Sequence, residues 1–143
     1  MKILCIHGPN LNMLGKRPVN HYGDLTLTQI YEILIDTYPE IEFTFYQSNH
    51  EGEIIDMIHA SIEEDYQGLL INPGALCHQS IALRDALEIM TIPKVEVHLS
   101  NINEREDFRK INYIKDVCDA CFMGDKIESY KKAIKFFLLK VVV

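Results

Sequence analysis

The chain reads as an α/β three-layer sandwich, a five-stranded parallel sheet with helices on both faces. Two observations predict it. Short apolar runs alternate along the chain with segments whose apolar residues recur at helical spacing. Each run is then followed by a polar cluster: His7-Gly8-Pro9-Asn10, Gln47-Ser48-Asn49-His50, Asn72-Pro73-Gly74-Ala75, His98-Leu99-Ser100-Asn101 and Gly124-Asp125. In a parallel sheet all of these clusters open onto one edge, where such sheets bind their ligands.

Lys2 to His7 makes a short buried strand, and the polar stretch from Gly8 to about Asp24 is long for a connection, as lids and binding loops are. Thr26 can cap a helix striped by Leu27, Ile30, Tyr31, Leu34, Ile35 and Tyr38, and Pro39 ends it. Ile41 to Gln47 is the second strand. Glu51 to Tyr66 repeats the helical pattern through Ile54, Ile55, Ile58 and Ile62, and Gly68 to Asn72 is the third strand. Ser80 to Met90 is a helix, Lys94 to His98 a strand, Glu104 to Lys110 a short helical turn and Cys118 to Met123 a strand. Asp125 to about Lys140 closes the chain as a helix striped by Ile127, Tyr130, Ile134, Phe137 and Leu138. The terminal Val141-Val142-Val143 is either a frayed tail or a buried contact. Right-handed crossovers favour the flavodoxin-like order 2-1-3-4-5. That order makes the first, third and fourth strands neighbours, which brings Asn10, Asn72 and His98 together.

At 143 residues the chain is one domain, 1–143, long enough to bury a core without disulfide or metal staples. No apolar run approaches the roughly 20 residues that span a bilayer, and Lys2 leads into a strand rather than a signal peptide, so a soluble cytoplasmic protein is expected. A net charge of -7 argues against a nucleic-acid surface. The cysteines Cys5, Cys77, Cys118 and Cys121 are expected as reduced thiols. Cys118 and Cys121 lie three apart on an expected strand, where they would face opposite ways and neither chelate nor pair.

His98 ends a strand at the binding edge. Glu96, two residues earlier on the same face, can hold one imidazole nitrogen and leave the other to give or take a proton. Backbone N–H groups of Leu99, Ser100 and Asn101 can receive a carboxylate. Asn72 and the amides after it face the same crevice, and His78 either binds a hydroxyl or caps local structure. His59 falls between apolar helix positions, as an ordinary packed ring does. Three of the four arginines, Arg17, Arg105 and Arg109, fall in loops or short turns, where a planar fork of donors can grip an anion. Tyr22 lies five residues from Arg17, and with Arg109 elsewhere in the crevice two guanidinium groups could stabilise a phenolate. Tyrosine then becomes a general base. No histidine pair has metal-ligand spacing and no Gly-x-Gly-x-x-Gly or Walker loop occurs, so neither a metal nor a cofactor is expected.

Gly8-Pro9-Asn10-Leu11-Asn12-Met13-Leu14-Gly15, Tyr22-Gly23, Gln47-Ser48-Asn49-His50-Glu51-Gly52, Ile71-Asn72-Pro73-Gly74-Ala75, Glu96-Val97-His98-Leu99-Ser100-Asn101 and Arg105-Glu106-Asp107-Phe108-Arg109 follow one another in register. In this, from residue 1 to about 113, the chain resembles type II 3-dehydroquinate dehydratase. The resemblance implies a shikimate-pathway enzyme that removes water from 3-dehydroquinate by anti elimination, through an enolate, to give 3-dehydroshikimate. It implies Tyr22 as base with Arg17 beside it, and Asn10 holding a water at the enolate oxygen. His98, oriented by Glu96 and assisted by Asn72, would protonate the departing hydroxyl. Leu99 and Ser100 would hold the carboxylate, and His78 and Arg109 the ring hydroxyls. Homo-oligomers are implied too, trimers assembling to dodecamers, with Asp85 reaching a neighbouring subunit's site. The chain departs from relatives at His7, where asparagine is usual, at Pro18-Val19-Asn20-His21, and from Gly124 to Tyr130. A competing reading is a flavodoxin-like module that binds a small molecule without catalysis; its weakness is the missing phosphate cradle.

Overall fold

The computed structural model describes residues 1–141; Val142 and Val143, and so most of the terminal valine run, lie outside the described residues. Strands β1 (Lys2–His7), β2 (Glu42–Gln47), β3 (Gly68–Asn72), β4 (Lys94–His98) and β5 (Ala120–Met123) form one parallel sheet in the order β2-β1-β3-β4-β5. This is the expected order. The central strands are buried on both faces, which is why they are nearly continuous apolar runs.

Period-two alternation divides the core. Ile3, Cys5, Leu70, Val95 and Val97 face α2 (Leu27–Thr37) and α5 (Ile127–Val141), meeting Ile30, Leu34, Ile134 and Phe137. On the other face Leu4, Ile6, Leu69 and Ile71 meet α3 (Glu51–Ser61) and α4 (Ile81–Ile89) through Ile54, Ile58, Leu83 and Leu87. Thr26 caps α2 reciprocally: its hydroxyl accepts from the Gln29 N–H at 3.1 Å, and the Gln29 side chain accepts from the Thr26 N–H at 2.9 Å. Ser80 caps α4 in the same sense by accepting from the Leu83 N–H.

Several boundaries differ from the sequence expectations. The long first loop contains a 3-10 turn, Leu11–Met13, and the single-turn helix α1, Val19–Tyr22. Helix α3 stops at Ser61 rather than Tyr66, because the Ser61 hydroxyl takes the Ile58 carbonyl and the acidic run Glu63-Glu64-Asp65 opposes the negative end of the helix dipole. Ile62 and Ile35 are exposed, so both expected stripes are one residue wider than the sheet can cover. The expected turn over Glu104 to Lys110 is two 3-10 turns, Ile102–Glu104 and Asp107–Lys110. Strand β5 begins at Ala120, since Asp119 is spent bonding both backbone groups of Lys94, and Cys118 therefore precedes the strand. All four cysteines are free, and no described helix is long and apolar enough to cross a membrane.

The loops after β1 and β3 interlock backbone to backbone. A methyl group on Gly8 would overlap the Pro73 carbonyl, while Gly74 takes a φ of 59° and lies so close that a Cβ there would sit 2.9 Å from the Pro9 oxygen. Glycine at both positions lets the two loops share one crevice wall.

At the end of β1, His7 is fully buried, and burial pushes its imidazole down to about 3. The unfolded chain, with an ordinary histidine near 6.5, therefore binds a proton between those values that the folded state refuses. Stability is lost as pH falls through that window. Between pH 7 and pH 5 the His7 contribution is about 2 kcal/mol. Denaturant titrations should show that His7→Asn loses less stability over this interval than the parent by that amount; parallel losses would mean that His7 charges in the folded protein.

Candidate active site

A crevice at the C-terminal edge of the sheet, enclosing about 340 Å³ with the part open to solvent, is walled by the segments after β1, β3 and β4. The lining residues Arg17, Tyr22, Asn72, His78, His98 and Arg105 carry its polar chemistry, and Leu99, Ser100 and Arg109 complete it. Parallel pairing is what assembles them. His7 is aligned with Asn72, and Glu96 with Ile71, so the β1, β3 and β4 loops leave the sheet side by side.

Tyr22 ends α1 and is 8% exposed, packed beside Leu11 and Leu14 in the core on the α2 side. Its hydroxyl oxygen receives two cationic donors, Arg17 Nη2 and Arg105 Nη1, each at 2.7 Å. The Arg17 guanidinium also lies 3.8 Å from the centre of the tyrosine ring. Two charge-assisted guanidinium N–H bonds thus converge on a single phenol oxygen. Burial in turn lowers Arg17 from its ordinary range, an effect that the neighbouring Tyr22 opposes.

His98 closes β4 with its Nε2 at 2.5 Å from Glu96 Oε2, and the Asn112 amide donates to the same oxygen at 2.8 Å. Glu96 is fully buried and its Oε1 has no partner, so the bonds that His98 and Asn112 make to Oε2 are what satisfies this side chain. Nδ1 is left as the ring nitrogen that can pass a proton. His78 donates from Nδ1 to the Ile111 carbonyl at 2.7 Å, and burial holds it below the ordinary histidine range, leaving Nε2 as an acceptor. Such a site can withdraw a proton at Tyr22 and deliver one at His98.

Cys77, Glu96 and His98 could each offer a metal ligand, their donor atoms lying within 4.8 Å of one another. Burial, however, pushes the Cys77 thiol far up, and His98 Nε2 is already taken by Glu96. The trio is a histidine held by a buried carboxyl group beside a packed thiol.

The family described as "Dehydroquinase class II" matches residues 1–138. The chain belongs to the class II dehydroquinase family. It is 46% identical over 143 residues to the 3-dehydroquinate dehydratase of Thermotoga petrophila, covering 99% of this chain and 97% of the relative. It is 48% identical over 139 residues to that of Helicobacter pylori strain Shi470, covering 94% and 83%. Among solved structures, the type II dehydroquinase of Butyrivibrio crossotus superposes with a TM-score of 0.93 at 44% identity, covering 96% of this chain and 97% of that one. The type II dehydroquinase of Propionibacterium acnes does so with 0.89 at 31% identity, covering 94% of each.

In this dehydroquinase fold most of the expected residues meet in the crevice, with Glu96 directly behind His98. Two do not line it. Asn10 is exposed in the left-handed region at φ 70°, its N–H held by the Asn49 side chain at 2.9 Å, and Asp85 is exposed on α4. The loops after β2 and β5 stand outside the wall as well; the first braces Asn10, and Gly124 of the second packs on Asn101. The second cation on Tyr22 is Arg105, not Arg109, whose guanidinium is turned aside to Glu106 at 3.0 Å. Arg105 had a signal as a loop arginine in the Arg105–Arg109 motif, but its partner did not. Asn112, which steadies Glu96, had no sequence signal at all.

Proposed function

We propose that the crevice binds 3-dehydroquinate and removes water from it through an enolate, giving 3-dehydroshikimate. The observation that carries this reading is the Tyr22 oxygen held by two guanidinium groups. As phenolate, Tyr22 takes the proton beside the ketone, the electron pair moves into the enolate, and a water held by Asn10 stabilises the oxygen. The enolate then collapses, the carbon–oxygen bond to the tertiary hydroxyl breaks, and His98 supplies the proton that makes it water. Glu96 orients that imidazole, Asn72 assists the departing oxygen, Leu99 and Ser100 hold the carboxylate, and His78 and Arg109 hold ring hydroxyls. In this scheme Arg105 joins Arg17 on the base.

The proposal extends to assembly and location. Trimers grouped as dodecamers would give the exposed Asp85 a task at a neighbouring copy's site, and four free thiols suit the reducing cytoplasm. Purified protein mixed with 3-dehydroquinate should develop the near-ultraviolet absorbance of an enone with no added metal or cofactor. A flat trace from acid to alkaline pH would overturn the dehydration reading.

A further inference from the structure

We propose that Tyr130 and His7 act as positioning residues for Asn72, fixing its side-chain amide so that it presents an N–H, not its oxygen, to the departing hydroxyl. The proposal rests on the dehydration reading above and concerns a helix, α5, that contributes no residue to the crevice wall.

Four buried or half-buried side chains form a continuous hydrogen-bonded line beneath the site. Asn72 Nδ2 lies 3.0 Å from Tyr130 Oη, Tyr130 Oη lies 2.9 Å from His7 Nε2, and His7 Nδ1 lies 3.3 Å from Tyr31 Oη. Tyr130 and His7 are both fully buried and Asn72 is 3% exposed, so none of these groups can turn to water instead. The His7 and Tyr130 rings stack 6° from parallel, which leaves little freedom to either.

Such a line can be polarised in either of two directions, and the backbone chooses. The Gly74 N–H lies 3.2 Å from Asn72 Oδ1 and can only donate, so the oxygen of the amide must face it and Nδ2 must face Tyr130. Tyr130 then accepts from Asn72 and spends its single proton on His7 Nε2. His7 must be neutral with its proton on Nδ1, which donates to Tyr31. Burial favours that neutral form. A histidine carrying a proton on Nε2 would confront Tyr130 with a second donor and drive the line the other way. With Oδ1 and one hydrogen of Nδ2 engaged, the remaining Nδ2 hydrogen is what Asn72 has left for a ligand in the crevice. A donor there stabilises negative charge building on a leaving oxygen, whereas an amide oxygen would repel it.

The first measurement is on the wild-type protein without substrate: nitrogen-15 spectra of the His7 ring should show the Nδ1–H tautomer, and an Nε2–H tautomer would overturn the proposal whatever the activity. The second is kinetic. Tyr130→Phe keeps the ring and deletes the relay, and should lower kcat about tenfold or more with KM changed less than about threefold, since the bond matters when charge develops. In an Asn72→Ala background Tyr130→Phe should cost nothing further. Independent, multiplying losses in the double variant would make Tyr130 a packing residue only. If the wild type shows the Nδ1–H tautomer but does not turn over 3-dehydroquinate, the dehydration reading fails while the relay itself stands.

Discussion

Tyr22→Phe should lose turnover by three orders of magnitude or more, toward the upper end of about 10²- to 10⁴-fold for general-base catalysis, while a product-like carboxylate still binds within a few-fold of the parent. The substitution removes one oxygen and leaves the ring, which packs beside Leu11 and Leu14 and against the Arg17 guanidinium. The lid should therefore fold as before. Deleting either donor tests the same unit from the other side: Arg17→Ala and Arg105→Ala should each cost about a hundredfold in kcat, because each supplies one of the two cationic N–H groups on the oxygen. Arg109→Ala should instead raise KM, since its guanidinium bonds Glu106 and not Tyr22. Wild-type turnover in Tyr22→Phe would leave tyrosine as a lid residue and require another base.

His98→Ala should reduce kcat by about 10²- to 10⁴-fold with a small change in KM, because an acid acting on a leaving hydroxyl is needed chiefly in the transition state. Glu96→Gln should be milder, about tenfold, since the amide oxygen can still orient the ring but accepts a weaker hydrogen bond than a carboxylate does. Asn112→Ala should fall between the parent and Glu96→Gln, as it removes one bond to the same carboxylate oxygen. Steady-state kinetics on the three variants would rank them. An unchanged kcat in His98→Ala would take the histidine out of the reaction.

The parts of this site that could be read from the chain are those set by local rules. Thr26 caps its helix because it stands just before the apolar stripe, and Glu96 meets His98 because alternate strand residues share a face. The crevice could be placed because parallel strands end together. Pairings made by side chains from separate loops could not be read this way. Arg105 reaches Tyr22 across 83 positions while Arg109, four residues further on, bonds Glu106, and no spacing distinguishes the two. Ile62 and Ile35 followed the helical period yet found no sheet to cover them.

By itself, then, the sequence determined the α/β class, the strand order and the edge at which chemistry gathers, because hydrophobic period and crossover handedness are properties of short segments. Only the tertiary structure decided which arginine serves the tyrosine, which asparagine steadies Glu96, and that a tyrosine of the last helix holds Asn72 from 58 positions away. Hydrogen bonds extend only about 3 Å and depend on angle, so they are settled by where packed elements finally place their side chains.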